Sequence, residues 1–357
     1  KFGKNNKWGY FPAFSAAWRL GEEEFIKNLN IFSDLKVRLG YGMAGNNRID
    51  SYLSLAVLGS VTYPNGDSTQ PGYVSKQIPN PDLKWEANKT FNFGLDFGFF
   101  NNKLTGAMNY YYNQPEELLI TKALPPSAGL NNPILNVGKI RNSGVEVEIN
   151  WADSKGGFDY NIGMNFSTTK NKVVELADKG QVLYGEGLKY GTEHFPTQTR
   201  VGKPIGAFYL YKTNGLFQSN EEARQYVNAD GDEYQPFADA GDIRYVDVNG
   251  DGYIDDDDKV YCGSGIPTLE VNLNFSAGYK GFDLSVVLGS AWGHKIYNGN
   301  KYFYEGMNSG SNFLTSSLNV WTPQNTNTNI PRAIFNDPNG NLKESDRFIE
   351  KGDFVRL

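Results

Sequence analysis

The 357-residue sequence is poor in the side chains that carry most covalent and metal chemistry. It has one cysteine, Cys262, and two histidines, His194 and His294. A single thiol excludes an intrachain disulfide or a thiolate metal cluster, and two imidazoles leave little for a zinc site or a histidine-based triad. No G-x-S-x-G or HExxH pattern is present, so an enzyme is not expected. Basic charge is short as well. Thirty-four Lys and Arg face 40 Asp and Glu, for a net charge of −6, and no basic block is available to neutralise phosphates. Nucleic acid is therefore excluded as a partner. Long apolar runs are also missing: mean hydropathy is −0.51, and nothing approaches the roughly 20 residues of a membrane helix. That excludes a helical membrane protein. It leaves a transmembrane barrel open, because barrel strands show lipid only every second residue. There is no signal peptide, and Lys1 stands a few residues before a strand-like segment, as expected of a piece of a longer protein.

What is abundant is aromatic and glycine residues, at 14% and 40 copies, too rich in rings for a disordered chain. The rings fall into period-two patterns. Leu35, Val37, Leu39, Tyr41 and Met43 alternate with Lys36, Arg38, Gly40 and Gly42. Phe91, Phe93, Leu95, Phe97 and Phe99 alternate with Asn92, Gly94, Asp96 and Gly98. The same holds from Val145 to Trp151, from Phe158 to Phe166 and from Leu269 to Tyr279. Period two predicts strands. Runs of about 9–11 residues match what a tilted strand needs to cross a bilayer.

Connections alternate in length. Short turns join Phe99 to Leu104 across Asn101-Asn102, Trp151 to Phe158, and Tyr279 to Phe282 across Lys280-Gly281, while long stretches cover about 44–88, 113–143, 169–268 and 292–353. A transmembrane barrel has this asymmetry, with short periplasmic turns and long outer loops. A soluble β-sandwich would also give alternating strands. Against it stand the strand length, polar faces of Gly, Asn and Ser rather than Lys and Glu, and rings at strand ends. Tyr110, Tyr111 and Tyr112 close one strand, and Trp8 and Trp18 bracket the first, as interfacial girdles do.

The longest connection carries Asp247-Val-Asn249-Gly-Asp251-Gly252-Tyr253-Ile-Asp255-Asp-Asp-Asp258. Oxygen side chains at loop positions one, three, five, nine and twelve suit a hard cation, with Gly252 at the sharp turn and the Tyr253 carbonyl as a further ligand. The pattern predicts a structural Ca2+ site with ligands Asp247, Asn249, Asp251, Tyr253, Asp255 and Asp258, stapling an insertion at about 212–266. Asp258 replaces the usual bidentate Glu, which points to weaker or monodentate binding. A solvated acidic turn is the plainer alternative.

Several segments together resemble one family. NPDLKWE (80–86), FNFGLDFGFFNNKLTGAMNYYY (91–112), NVGKIRNSGVEVEINW (136–151), GDIRYVDVNGDGYIDDDDK (241–259), IPTLEVNLNFSAGYKGFDLSVVLGSAWGHKIYN (266–298) and IPRA (330–333) are similar to the C-terminal half of SusC/RagA-type TonB-dependent outer-membrane transporters. The resemblance implies an all-β fold, a barrel of about 22 antiparallel strands with a plug in its lumen. This chain would supply roughly eight to ten of them. Plug, TonB box and signal peptide are not among these residues, and the family continues past Leu357 through its final strands.

The resemblance also implies a place in the outer membrane of a Gram-negative bacterium, a SusD-like surface lipoprotein as lid, and TonB acting through the plug. The cargo would be a nutrient too large for a porin, an oligosaccharide or otherwise a peptide. Trp292, Tyr297, Tyr302, Tyr304 and Trp321 are candidate substrate or lid contacts, with girdle or loop packing as the alternative. The competing function is a calcium-stabilised surface glycan-binding or adhesin β-protein.

Overall fold

The computed structural model describes residues 1–122, 126–190, 192–306 and 312–357. Its main element is a ten-stranded antiparallel sheet. Along it run β1 (Ala13–Trp18), β2 (Phe32–Asn46), β3 (Glu86–Phe99), β4 (Leu104–Glu116), β5 (Lys139–Lys155), β6 (Phe158–Thr168), β7 (Leu269–Tyr279), β8 (Phe282–Trp292) and β9 (Phe354–Arg356). A further strand, Lys170–Glu175, pairs with the upper part of β5. Each strand pairs with its neighbour in sequence order, so β6 meets β7 directly although residues 169–268 lie between them.

Register carries the alternation across the whole sheet. Val37, Leu95, Met108, Val147, Phe166 and Val271 stand opposite one another in turn across β2 to β7. One step along lies the row Lys36, Asp96, Ala107, Glu148, Asn165 and Asn272. Paired residues share a face, so one side of the sheet is apolar throughout and the other polar. Among the described residues no second sheet lies against the apolar side: Leu39, Phe93, Met108, Ile162 and Leu284 are all more than a third exposed. A sandwich would bury these rows; this fold presents them outward, as an all-β barrel wall does.

The turns at one end are as short as expected. Lys280 and Gly281 both take positive φ, +50° and +84°, the two-residue geometry whose twist matches the flanking strands. At the other end the strands run past the alternating segments. β4 continues through Asn113 to Glu116, and β5 begins at Lys139 rather than Val145. There both faces are polar, so the period-two signal fades while the hydrogen-bonded ladder does not.

The long connections are themselves structured. Leu58–Asn65 pairs with Ser68–Ser75, and Leu119–Thr121 with Ile134–Asn136. Residues 169–268 form a small sheet from Leu183–Tyr184, Thr197–Thr199, Ala207–Leu210 and Val260–Gly263. Most of the fully buried side chains lie here and in the last connection. Phe217, Ile243, Tyr245, Leu210 and Phe348 are at most 1% exposed. Tyr211, Leu216, Ile243, Tyr245 and Trp321 form one cluster, and Phe217, Ala223 and Ala238 another. A short helix, Asn220–Gln225, starts where the Ser219 side chain accepts the Glu222 amide, satisfying an otherwise orphan donor.

Candidate functional site

Two places concentrate polar chemistry. On the polar face of the wall, Asp96 accepts from the Arg38 guanidinium at 2.6 to 3.0 Å and from Lys36 Nζ at 2.7 Å, and Arg38 also donates to Asn109 Oδ1 at 2.9 Å. Gly94 sits beside them because a Cβ there would come within 2.8 Å of the guanidinium. Charges fixed on one face of a strand and rings on the other are what separate a hydrated interior from hydrocarbon.

The second place is the unit at the long-loop end. Its acidic loop is tightly wound. Asp247 accepts the amides of Gly250 at 2.6 Å and Gly252 at 2.9 Å, and Gly252 has φ +92°. Asn249 accepts from the Asp251 amide, Asp251 from Tyr253, and Asp255 from Asp257. Asp258 is fully buried and accepts the amides of Val248 at 2.7 Å and Asp255 at 2.9 Å. Burial would raise the Asp247 pKa, but the Gly252 and Gly250 amides hold it below the usual carboxylate range. Among the described residues no three His, Cys, Asp or Glu side chains converge to hold a metal ion. The expected ligands thus share one loop of hard oxygen donors, with the carboxylates turned toward backbone amides.

Beside this loop a buried charge cluster joins three distant segments. Lys259 Nζ lies 2.8 Å from Glu344 and 2.9 Å from Asp256, His194 Nδ1 lies 2.6 Å from the other Glu344 oxygen, and the Tyr211 hydroxyl donates to Asp256 at 2.7 Å. Burial pushes Glu344 up, but hydrogen bonds from His194 and Lys259 and the Lys259 charge bring it down to about 2. Burial likewise pushes the Tyr211 hydroxyl well up, helped by Asp256. A second clasp sets Arg332 on the fully buried Asp242 at 2.8 Å, with Asn341 donating to the same carboxylate. Both tie residues 194–259 to residues 332–344, and neither contains a nucleophile poised beside a base.

The candidate aromatics separate. Trp292 ends β8 opposite Leu269, on the apolar face, 40% exposed, the position of a girdle residue. Tyr297 stacks between Phe208 and Phe348, and Tyr302 packs on the His194 ring. Trp321 is 8% exposed in the core, its indole N–H donating to Gln218, so it offers no free ring to a substrate. Tyr304 is 43% exposed. The structure brings Tyr297, Tyr302 and Trp321 into the loop-end packing and leaves Trp292 with the wall.

The profile described as TonB dependent receptor-like, beta-barrel, matches residues 1–289. The chain belongs to that family. TonB-dependent receptors are outer-membrane β-barrels of Gram-negative bacteria rather than enzymes, which gives the apolar face its solvent, lipid. TonB-dependent receptor P3 of Formosa agariphila is 32% identical over all of this chain and 35% of the relative. TonB-dependent receptor SusC of Bacteroides thetaiotaomicron is 29% identical over all of this chain and 34% of its own. This receptor chain therefore spans about a third of the curated relatives it matches. A solved structure of the RagAB peptide transporter has the same fold, with a TM-score of 0.77 at 24% identity over the whole chain and 37% of that one.

Some exposed rings in the receptor's loop-end unit carried no period. Phe237 and Phe335 are 68% and 76% exposed. Single aromatics in irregular segments resemble any loop residue in sequence, so their exposure is not legible there. Lys259 and Glu344 are 85 residues apart, and no spacing marks them as partners.

Proposed function

We propose that this chain is part of an outer-membrane importer that takes up a large nutrient, an oligosaccharide or otherwise a peptide. A SusD-like lipoprotein closes over the long-loop end, and TonB releases the cargo through a plug in the lumen. One observation supports this most: a wall with hydrocarbon-compatible rows on one side and a charged, hydrated face on the other, capped at one end only by a folded unit. Porin-like loops would be smaller. A unit with its own core and exposed rings suits capture of a ligand and contact with a lid. The calcium-stapled adhesin would need those rows buried. The test is deletion of the receptor in its own organism, with growth on defined oligosaccharides and on peptides as sole nutrient. Loss of growth on one class, together with a lipoprotein that co-purifies in detergent, is the expected result. Unchanged uptake of both classes would refute the reading.

We also propose calcium for the loop Asp247–Asp258. An all-oxygen donor set and a sharp turn at Gly252 suit it. An ion would draw Asn249, Asp251 and Asp255 from backbone amides toward itself and tighten the unit. Calcium titration of the purified receptor should raise protection of this loop, and Asp247→Ala or Asp251→Ala should abolish that gain. Equal calcium response in either variant would discard the site.

A further inference from the structure

The receptor has a cluster of cations that its own carboxylates do not answer. Lys170 and Lys172 lie in the strand that pairs with the upper part of β5, opposite Ser143 and Arg141. Register puts all four on the side of the sheet that carries Tyr112, Tyr110 and Val145, the lipid side, just beyond the alternating rows. A cleft of about 660 Å³ opens there, lined by Lys170, Lys172, Lys295, Tyr110, Tyr261 and Ile266. No Asp or Glu lines it, and among the described residues none of these lysines has an ion-pair partner. Lys203 Nζ stands 4.6 Å from the centre of the Tyr261 ring. Arg141 lies over Tyr112 at 5.4 Å, with its Nε buried and lacking any acceptor.

Two other lysines at this end of the wall are matched. Lys89 and Lys139 both pair with Glu116. The cleft therefore has an apolar floor continuous with the hydrocarbon-facing rows and an unanswered basic rim. We infer that this cleft binds an anionic, phosphate-bearing headgroup of an outer-leaflet lipid, with an acyl chain against Tyr110, Val145 and Ile266. A lysine stem lies along apolar surface while its ammonium reaches headgroup level. A phosphate there gives Lys170, Lys172 and Lys295 an acceptor. A protein lid is the weaker occupant, because Lys170 and Lys172 stand on the side of the sheet that carries the lipid-facing rows. The inference rests on the long-loop end facing outward, as proposed above.

The experiment uses the full-length receptor in detergent, with phosphorylated lipid A, the same lipid dephosphorylated, and inorganic phosphate as probes, bound lipid being read by native mass spectrometry. Phosphorylated lipid A is expected to be retained and the dephosphorylated form lost. Replacing Lys170, Lys172 and Lys295 together by Ala should weaken retention about fivefold for each lysine, on the order of a hundredfold in total, whereas the triple Arg variant should retain it. Heat-modifiable migration, unchanged in every variant, shows that the wall is still folded, so a failed lipid site is distinguishable from a failed barrel. Equal retention of both lipids, equal retention by the Ala variant, or competition by inorganic phosphate without lipid retention would overturn the inference. So would loss of the co-purifying lipoprotein in the Ala variant with lipid retention intact.

Discussion

The wall and the loop-end unit of this receptor are built on opposite plans. In the wall, Phe93 and Met108 are 45% and 46% exposed while Asp96 is drawn into a cluster with two cations. In the unit, Phe217 and Phe348 are fully buried, while Asp242 and Asp258 are buried with hydrogen-bond partners. The same side chains thus serve two solvents. Wall rings need no protein partner because lipid tails supply the contact, and the backbone is satisfied strand to strand. The unit must assemble an ordinary core by burying its rings against one another. The amino acid alone does not decide whether a ring is inside, since its periodicity and its solvent do.

The sharpest test of that contrast is to make a hole in each region. Phe348→Ala removes a ring from a closed core and should destabilise the unit by about 4 kcal/mol. Phe93→Ala should cost the wall about 1 kcal/mol or less, because mobile acyl chains refill the space and no cavity remains. Hydrogen exchange reads the first change, and the temperature of heat-modifiable migration reads the second. Equal costs would mean that both regions face the same solvent.

Charge probes the same distinction by face. Leu273→Arg on the apolar side of β7 should destabilise the folded barrel by about 3 kcal/mol. Asn272→Arg, one residue earlier and on the polar side, should change it little. Reversal of that order would place lipid on the wrong side of the sheet. This much was legible in the sequence, because a strict period of two over 269–279 leaves only two faces to assign. The strand ends were less legible: around Gln114 and Lys139 both faces are polar, and hydrogen bonding continues without an alternating signal. The loop-end unit was barely legible. Its contacts join residues such as Tyr211, Trp321 and Phe348 across long separations and through irregular backbone, where no spacing rule applies. The acidic loop was read by its spacing. The fate of Trp321 was not, since a lone Trp in a long connection looks the same packed in a core or presented to a ligand.

A smaller effect is expected from pH in the unit. The Glu344 pKa is held at about 2, below its ordinary value of 4.5, by His194 and Lys259 despite burial. The folded state therefore favours the carboxylate. That contribution is complete above the unfolded pKa and is lost as pH falls from about 4.5 toward 2. Glu344→Gln removes the charge but not the shape and should cost about 2 kcal/mol at neutral pH. It should also flatten the acid dependence of protection around Tyr211 and Lys259. A variant that keeps the wild-type acid profile would show that another group sets it.

The smallest expected change concerns a single methyl group, and it bears on what the polar face of the wall is for. Gly40 has no positive φ, and a Cβ there would meet nothing nearer than the Asn92 Cβ at 3.9 Å. Strand backbone does not need that glycine, and Gly40→Ala should stabilise the wall by about 0.5 kcal/mol through the unfolded chain. Gly94 is different, since the Arg38 guanidinium occupies the space its side chain would take. Packing thus explains Gly94 and does not explain Gly40. If Gly40→Ala folds at least as stably as the parent yet lowers the uptake proposed above, the room left by the missing side chain is required by whatever occupies or passes along the interior. If uptake is unchanged, the polar face tolerates bulk there, and its glycines report only the polarity that separates the interior from lipid.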